Sequence, residues 1–369
     1  MEKVKLKDIC RLINGRAYKQ EELLDSGKYP VLRVGNFFSD KVFYYSDLEL
    51  EEDKYCDNGD LLFAWSASFG PKIWDGEKVI YHYHIWKMEL TDRVNKEFLF
   101  YYLFHLSERI KSEGHGGIMI HTTKAEMEER EFNLPTLEEQ IAISEILNKV
   151  MSVIDKRKEE LSVLDDLIKA RFVEMFGDPQ VNPFGWGVVN ISEVVGGKVS
   201  NGFFAKRDDY VDDGNVSILG VANIVNRMYS KVDELPKTNV DDKDIEKFEV
   251  RYGDMLFCRS SLVAEGIGKA SIIPENVQDN VLFECHVIRL PLDLNKCVPE
   301  FMQTLSTTDF FRNQVIAQSK TATMTTIGQD GILKTDIILP PVDKQREFYD
   351  FVHQVDKSKV VDIDKKDKL

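Results

Sequence analysis

The chain carries one plan written twice, and that repetition limits its architecture more than any single residue does. Gly59-Asp60-Leu61-Leu62-Phe63 returns as Gly253-Asp254-Met255-Leu256-Phe257, and Leu134-Pro135-Thr136-Leu137-Glu138-Glu139-Gln140 returns as Leu339-Pro340-Pro341-Val342-Asp343-Lys344-Gln345. Val34-Gly35-Asn36 corresponds to Val221-Ala222-Asn223, and His84 to His286. The offset drifts from 187 (36 to 223) to 205 (134 to 339), as it would between diverged copies that differ by loop insertions. Solenoids repeat every ~20–50 residues, so this period marks a duplicated domain. At 369 residues the chain is long enough for both copies to bury a core. A duplicated domain suits a target that itself has two parts.

Between the copies the sequence predicts one long helix. Thr136 to Phe176 contains neither Gly nor Pro, and Leu147, Ile154, Leu161, Ile168 and Met175 recur at a spacing of seven. Val150 and Leu164 add apolar positions three residues on, while Arg157 and Arg171 hold the other two. Such a stripe is a coiled-coil seam with charged interruptions. Thr136 and Glu139 form a capping-box start, and Gly177-Asp178-Pro179 is a stop. The simpler reading is an amphipathic helix packed on its own domains; the narrow stripe favours a spacer needing a partner helix. The flanks read as mixed α and β, with strands at 31–34, 61–64, 79–81, 216–219, 255–258 and 286–289 and helices at 97–111 and 299–319. The fold class is therefore α+β, divided as 1–137, spacer 138–177, 178–341 and a second, shortened spacer 342–369.

Composition excludes several classes. The roughly 18-residue apolar run of a membrane helix is missing, and the start Met1-Glu2-Lys3-Val4-Lys5 is unlike a signal peptide, which predicts a cytoplasmic protein. Five scattered cysteines without a C-x-x-C read as reduced, with no zinc site. The net charge of −15 runs against a nucleic-acid partner, and no segment is basic overall. If DNA is the ligand, cations must gather on one face, or a partner must supply phosphate contacts. No catalytic constellation holds up. Gly266-Ile267-Gly268-Lys269-Ala270 lacks the leading Gly and the Ser or Thr of a phosphate loop. Asn182-Pro183-Phe184-Gly185 lacks the second Pro of the adenine-methyltransferase motif. His82 and His84 sit on one face of an expected strand without a third metal ligand, so they read as a half-buried or DNA-facing pair.

The polar segments after each Gly-Asp strand are more informative. Trp65, Ser66, Ser68 and Lys72 in the first copy match Arg259, Ser260 and Ser261 in the second. Strands ending in small hydroxyl residues beside an Arg or an aromatic can approach a DNA groove and donate to base edges and phosphates. The loops before each Leu-Pro element have the same character: His121, Thr122, Thr123 and Lys124, against Lys320, Thr321, Thr323 and Thr325. Arg33, Asn36 and His84, with Asn223 and Arg227, complete the candidate DNA-binding set.

Taken together, these motifs resemble the DNA-specificity subunit of type I restriction–modification systems over essentially the whole chain. The carriers are the paired Leu-Pro elements, Phe172-Val173-Glu174-Met175-Phe176-Gly177-Asp178-Pro179, the stretch from Gly59 to Ser66, and Tyr81-His82-Tyr83-His84-Ile85-Trp86. The resemblance implies a non-catalytic reader with two target-recognition domains related by a pseudo-twofold axis, each reading part of a bipartite site in double-stranded DNA. Antiparallel spacer helices would set the gap between the parts. Two modification subunits would dock on the helices through Leu147, Val150, Ile154, Leu161, Leu164, Ile168 and Val352, and would flip the target adenine. Restriction subunits would add translocation and cleavage. S-adenosylmethionine, ATP and Mg²⁺ belong to those partners, and no cofactor, metal or membrane is expected for this chain. One departure stands out: a shift of 205 residues pairs Leu147 with Val352 but Ile154 with Lys359 and Leu161 with Lys366. This predicts weakened helix pairing. Competing readings are an enzyme with a fused recognition module and a coiled-coil assembly adaptor without sequence readout.

Overall fold

The computed structural model describes residues 1–39, 41–66, 69–113 and 122–364. It divides into two compact units, Met1–Arg157 and Lys158–Leu369. The boundary falls inside a continuous helix, Leu137–Phe176, 40 residues long. At ~1.5 Å per residue that is ~60 Å. Thr136 starts it as the sequence predicts: its Oγ1 accepts from Glu139 N at 3.3 Å, and Glu139 accepts from Thr136 N at 2.9 Å. Gly177 ends it in the left-handed region, at φ 76°.

The two units repeat one sheet plan. In the first, an antiparallel sheet orders Cys10–Asn14, Ile85–Leu90, Leu61–Ala64 and Gly70–Ile73. A second orders Tyr44–Ser46, Tyr29–Leu32, Val79–Tyr81 and Tyr55–Cys56, with the middle pair parallel. The second unit repeats the first sheet as Ser200–Asn201, Val287–Pro291, Asp254–Cys258 and Ala270–Ile272. It also repeats the parallel pair, as Val216–Leu219 beside Val281–Phe283. The Gly-Asp motif has a physical cause. Gly59 (φ 88°) and Gly253 (φ 83°) take a left-handed turn that a side chain resists. The following carboxylates then close that turn, Asp60 accepting from Asp57 N at 2.8 Å and Asp254 from Arg251 N at 3.0 Å.

The repeated Gln after each Leu-Pro element is equally explicable. Gln140 accepts from Asn95 N and donates to the Arg93 and Pro135 carbonyls. Gln345, fully buried, accepts from Val298 N at 2.9 Å and donates to the Lys296 and Pro340 carbonyls at 3.2 and 2.8 Å. Each amide thus ties the start of a long helix to the loop before another helix. Replacing Gln345 with Ala orphans the buried Val298 N–H and should cost about 1–3 kcal/mol. Urea unfolding checks this, and a loss below about 1 kcal/mol would show that water replaces the amide.

Three sequence expectations are corrected. The segment 31–34 is not one strand: Tyr29–Leu32 stops before Arg33, and Val34–Phe37 forms a helical turn. The helix expected at 299–319 is two, Pro299–Ser306 and Asp309–Ala317. Thr308 breaks it, its Oγ1 capping Phe311 N at 3.5 Å. His82 and His84 lie in the turn between Val79–Tyr81 and Ile85–Leu90 rather than on a strand, and Ile85 N closes that turn on His82 O at 2.9 Å.

In the second unit, the end of the long helix packs antiparallel on the C-terminal helix, Val342–Asp364. Phe172 and Phe176 meet Phe348 at 5.6 and 5.7 Å between ring centroids. Arg171 lies over Phe351, and Lys359 reaches Asp165 at 2.7 Å. Val352 is buried in the same core as Ile168, and Lys359, which the sequence aligns with Ile154, is held by Asp165 and Asp356.

One buried acid makes this packing pH-dependent. Glu300 is wholly buried at the base of Pro299–Ser306. Its Oε1 accepts from the Tyr229 hydroxyl at 3.0 Å and lies 3.9 Å from His353 Nε2, while Oε2 has no partner. Burial, with Asp356 and Glu275 nearby, pushes its carboxyl up to about 7. The folded state therefore keeps a proton that the unfolded chain releases near 4.5, so stability is complete below that value and falls as pH rises through about 7. A gap of that size corresponds to roughly 3 kcal/mol. Glu300→Gln should raise the urea midpoint at pH 8 and leave it nearly unchanged at pH 4.5; equal shifts at both would contradict this account.

Candidate nucleic-acid interface

In the first unit, Arg33, Asn36 and His84 line one cavity of about 740 Å³, together with Lys41, Tyr44 and His82. Arg33 lies over the Tyr44 ring at 5.2 Å. Asn36 donates its amide to the Lys41 and Val42 carbonyls at 2.6 and 3.2 Å, so part of its capacity holds the cavity wall. Beside the cavity, aromatic rings form a chain. Tyr83 sits 3.9 Å from His84, His84 4.9 Å from Trp65, and Trp65 stacks on Trp86 at 5.8 Å. Burial, then the His84 and Arg33 charges, lower His82 to about 4, and burial lowers His84. Both imidazoles are thus neutral at pH 7, able to donate and accept, while Arg33 and Lys41 supply the positive charge.

Other candidates have structural duties or lie elsewhere. Thr123 caps Lys124–Glu128 in a reciprocal box with Glu126. Thr122 is buried, with its N–H on Trp65 O at 3.4 Å, and Lys124 pairs with Glu128. Ser66 is buried. Lys72 lies over Trp74 and against Asp75, outside the ring cluster. Ser68 and His121 fall outside the described residues.

The second unit gathers its candidates on a small sheet that orders Ser260–Ser261, Thr325–Thr326 and Lys320–Thr321. Lys320, Thr321 and Thr323 are exposed and Ser260 and Ser261 half-buried, whereas Thr325 is buried and bonded to the Thr321 hydroxyl at 3.0 Å. Arg259 enters this sheet half-buried, with Nη1 donating to Cys285 O at 3.0 Å. Asn223 closes the turn after Val216–Leu219 by accepting from Gly220 N, and Glu284 accepts from Val221 N. Arg227 is exposed and separate from this sheet, on the wall of another cavity.

Trp65 and Arg259 occupy the same frame in the two copies. Trp65 N donates to His84 O and its Nε1 to Tyr83 O at 2.9 Å; Arg259 N donates to His286 O and its Nη1 to Cys285 O. Thr122 N reaches Trp65 O just as Ile327 N reaches Arg259 O. The equivalent position therefore presents an indole in one copy and a guanidinium in the other. The sequence pairs His82 with His84 but does not place them beside Arg33, Lys41 and Tyr44, because the turns at 33–44 and 82–84 meet only in the folded unit. Among the described residues no group of three His, Cys, Asp or Glu could hold a metal ion, and no helix is long and apolar enough to cross a membrane.

Of the helix residues singled out in the sequence, Ile168 and Val352 are buried and Leu147, Leu161 and Leu164 half-buried. Val150 and Ile154 are 49% and 40% exposed, and Ile146 and Val153, on adjacent turns, are 62% and 52% exposed.

A family model described as the type I restriction modification DNA specificity domain matches residues 1–164 and 183–368. The chain is 19% identical over 381 residues to the type I restriction enzyme EcoBI specificity subunit of Escherichia coli, covering 96% of this chain and 78% of that one. It is 22% identical over 384 residues to the MjaVIII specificity subunit of Methanocaldococcus jannaschii, covering 100% and 88%. A crystal structure of a type I restriction–modification S subunit from M. genitalium aligns with a TM-score of 0.49 at 14% identity, covering 99% of this chain and 91% of that one.

Proposed function

Because the chain belongs to the family of type I restriction–modification DNA specificity subunits, non-catalytic components that recognise DNA, we propose that its two copies read the two halves of one bipartite DNA site. The observation that carries this reading is the shared frame around Trp65 and Arg259. A guanidinium suits guanine O6 and N7, whereas an indole flanked by neutral histidines suits apolar and mixed donor–acceptor edges. Two equal frames with different side chains fit two half-sites of different sequence. Residues 1–137 and 178–341 would be the recognition domains. The helical segments 138–177 and 342–369 would set the gap and dock modification subunits, two in number, on exposed apolar positions such as Val150 and Ile154. Restriction subunits would join that complex; S-adenosylmethionine, ATP and Mg²⁺ would be held by the partners. The acidic balance of this chain fits a complex in which partners supply much of the phosphate contact.

Selection from a random duplex pool by the chain bound to its modification partner tests the reading. Enrichment of two short motifs at a fixed separation is the expected result. A single contiguous motif, or none despite a stable complex, would overturn it.

A further inference from the structure

The second unit holds a cavity of about 480 Å³ that is lined by none of the residues of the Ser260–Thr325 sheet. Its walls come from the end of the long helix, the turn at Asn226–Met228, Lys269–Ala270, and the two helices after Val298. Four cationic side chains line it, Lys169, Arg227, Lys269 and Arg312, against one acid, Asp165. That acid is already engaged by Lys359 at 2.7 Å. In a chain with 63 acidic and 48 basic residues, such a concavity is the reverse of the average surface. Gathering like charges costs free energy unless something negative offsets it.

The cations are only partly engaged by protein. Lys269 Nζ donates to Asn226 Oδ1 at 2.7 Å, a neutral partner, and Arg227 Nε reaches only the Val225 carbonyl at 3.4 Å. Arg312 is held in the wall by Nη2 on Glu265 O at 2.9 Å, while its Nη1 is buried without an acceptor. Burial also lowers its affinity for its proton, as expected for a guanidinium without a counter-ion. Lys169 is the exception, paired with Asp166 at 3.0 Å on the exposed helix face. The volume falls within the range of small-molecule sites.

We propose that this cavity binds a phosphate-class anion through Arg227, Lys269, Lys169 and Arg312. The inference goes beyond target reading, since the cavity lining includes none of Arg259, Ser260, Ser261, Lys320 or Thr325, although Lys269 O accepts from Cys258 N at 2.8 Å just before Arg259. The bound phosphate would tie the recognition-domain turn at Asn226–Met228 to the spacer helix at Ile168–Lys169, and so stabilise the second unit.

The test uses the full chain and pyrophosphate at constant ionic strength, with sodium chloride as control, followed by thermal unfolding and titration calorimetry. Pyrophosphate should raise Tm above the chloride control. Arg227→Met and Lys269→Met should each weaken binding about tenfold, as for the loss of one near-surface charge contact. Arg227 is exposed, and Lys269 is half-buried with its ammonium on the neutral Asn226 side chain; methionine keeps the aliphatic stem at both, so the unliganded Tm should change little and serves as the folding control. No shift beyond chloride, or the same affinity in the double variant, would overturn the proposal. Competition by a non-specific duplex would identify the phosphate as one of the DNA backbone; pyrophosphate binding unaffected by duplex would identify a free phosphate or nucleotide.

Discussion

Replacing Phe172 with alanine is expected to cost about 3–5 kcal/mol, the range for deleting a fully buried aromatic side chain. Phe172 is 1% exposed and packs with Phe176, Phe301 and Phe348 at centroid distances of 5.1, 5.6 and 5.6 Å. These four rings come from the long helix, the Pro299–Ser306 helix and the C-terminal helix, so the cavity left by the truncation opens where three helices meet. The neighbours are rigid rings that relax poorly, which places the cost high in the range. Urea unfolding measures it, and Phe172→Leu, which keeps most of the volume, should recover more than half. A loss below about 1 kcal/mol would mean that the C-terminal helix does not depend on this cluster. The same experiment bears on the pairing of the long helix with Val342–Asp364. Sequence alignment of the copies predicts weakened pairing, yet the antiparallel contact is supported by these rings and by Lys359 on Asp165.

The second large effect concerns recognition. Changing Arg259, Ser260 and Ser261 together to alanine should lower specific DNA affinity by about 10²-fold or more, since one bidentate Arg–guanine contact alone is worth about 1–3 kcal/mol. Non-specific affinity should fall little, because exposed Lys320 and the partners' cations remain. Competition binding with selected and scrambled duplexes separates the two quantities. Equal loss on both duplexes would assign Arg259 to phosphate contact instead. Loss confined to the half-site read by the second copy is the expected pattern, with the first half-site still recognised.

Much of the fold is legible because it rests on local chemistry. The Gly-Asp turns, the Thr136–Glu139 cap and the strands at Leu61–Ala64 and Val79–Tyr81 are all set by residues near one another in sequence. Where several signals competed, reading failed. Val31 to Val34 looks like a strand by side-chain type, but the chain turns at Arg33. The helix after Val298 runs on by periodicity, yet Thr308 offers a better cap than a continuation.

The candidate site was legible only in part, and for a different reason. The polar loops share a composition, but composition does not separate a base-facing threonine from a capping one. Thr123-Lys124-Ala125-Glu126 could have been recognised, since Thr followed three residues later by Glu is a capping box. No local signal could have placed Lys41 and His82 beside Arg33, or Arg312 beside Lys269, because those meetings depend on tertiary structure.

In the proposed reading, two copies of one domain read two different half-sites. The most direct measurement is a genome-wide methylation map from cells expressing this chain with its modification subunits, compared with cells lacking the chain. One new bipartite motif with methyladenine in both halves is the expected result, with loss of recognition in one half alone when Arg259, Ser260 and Ser261 are changed. A single undivided motif, or an unchanged map from cells in which the complex assembles, would contradict it.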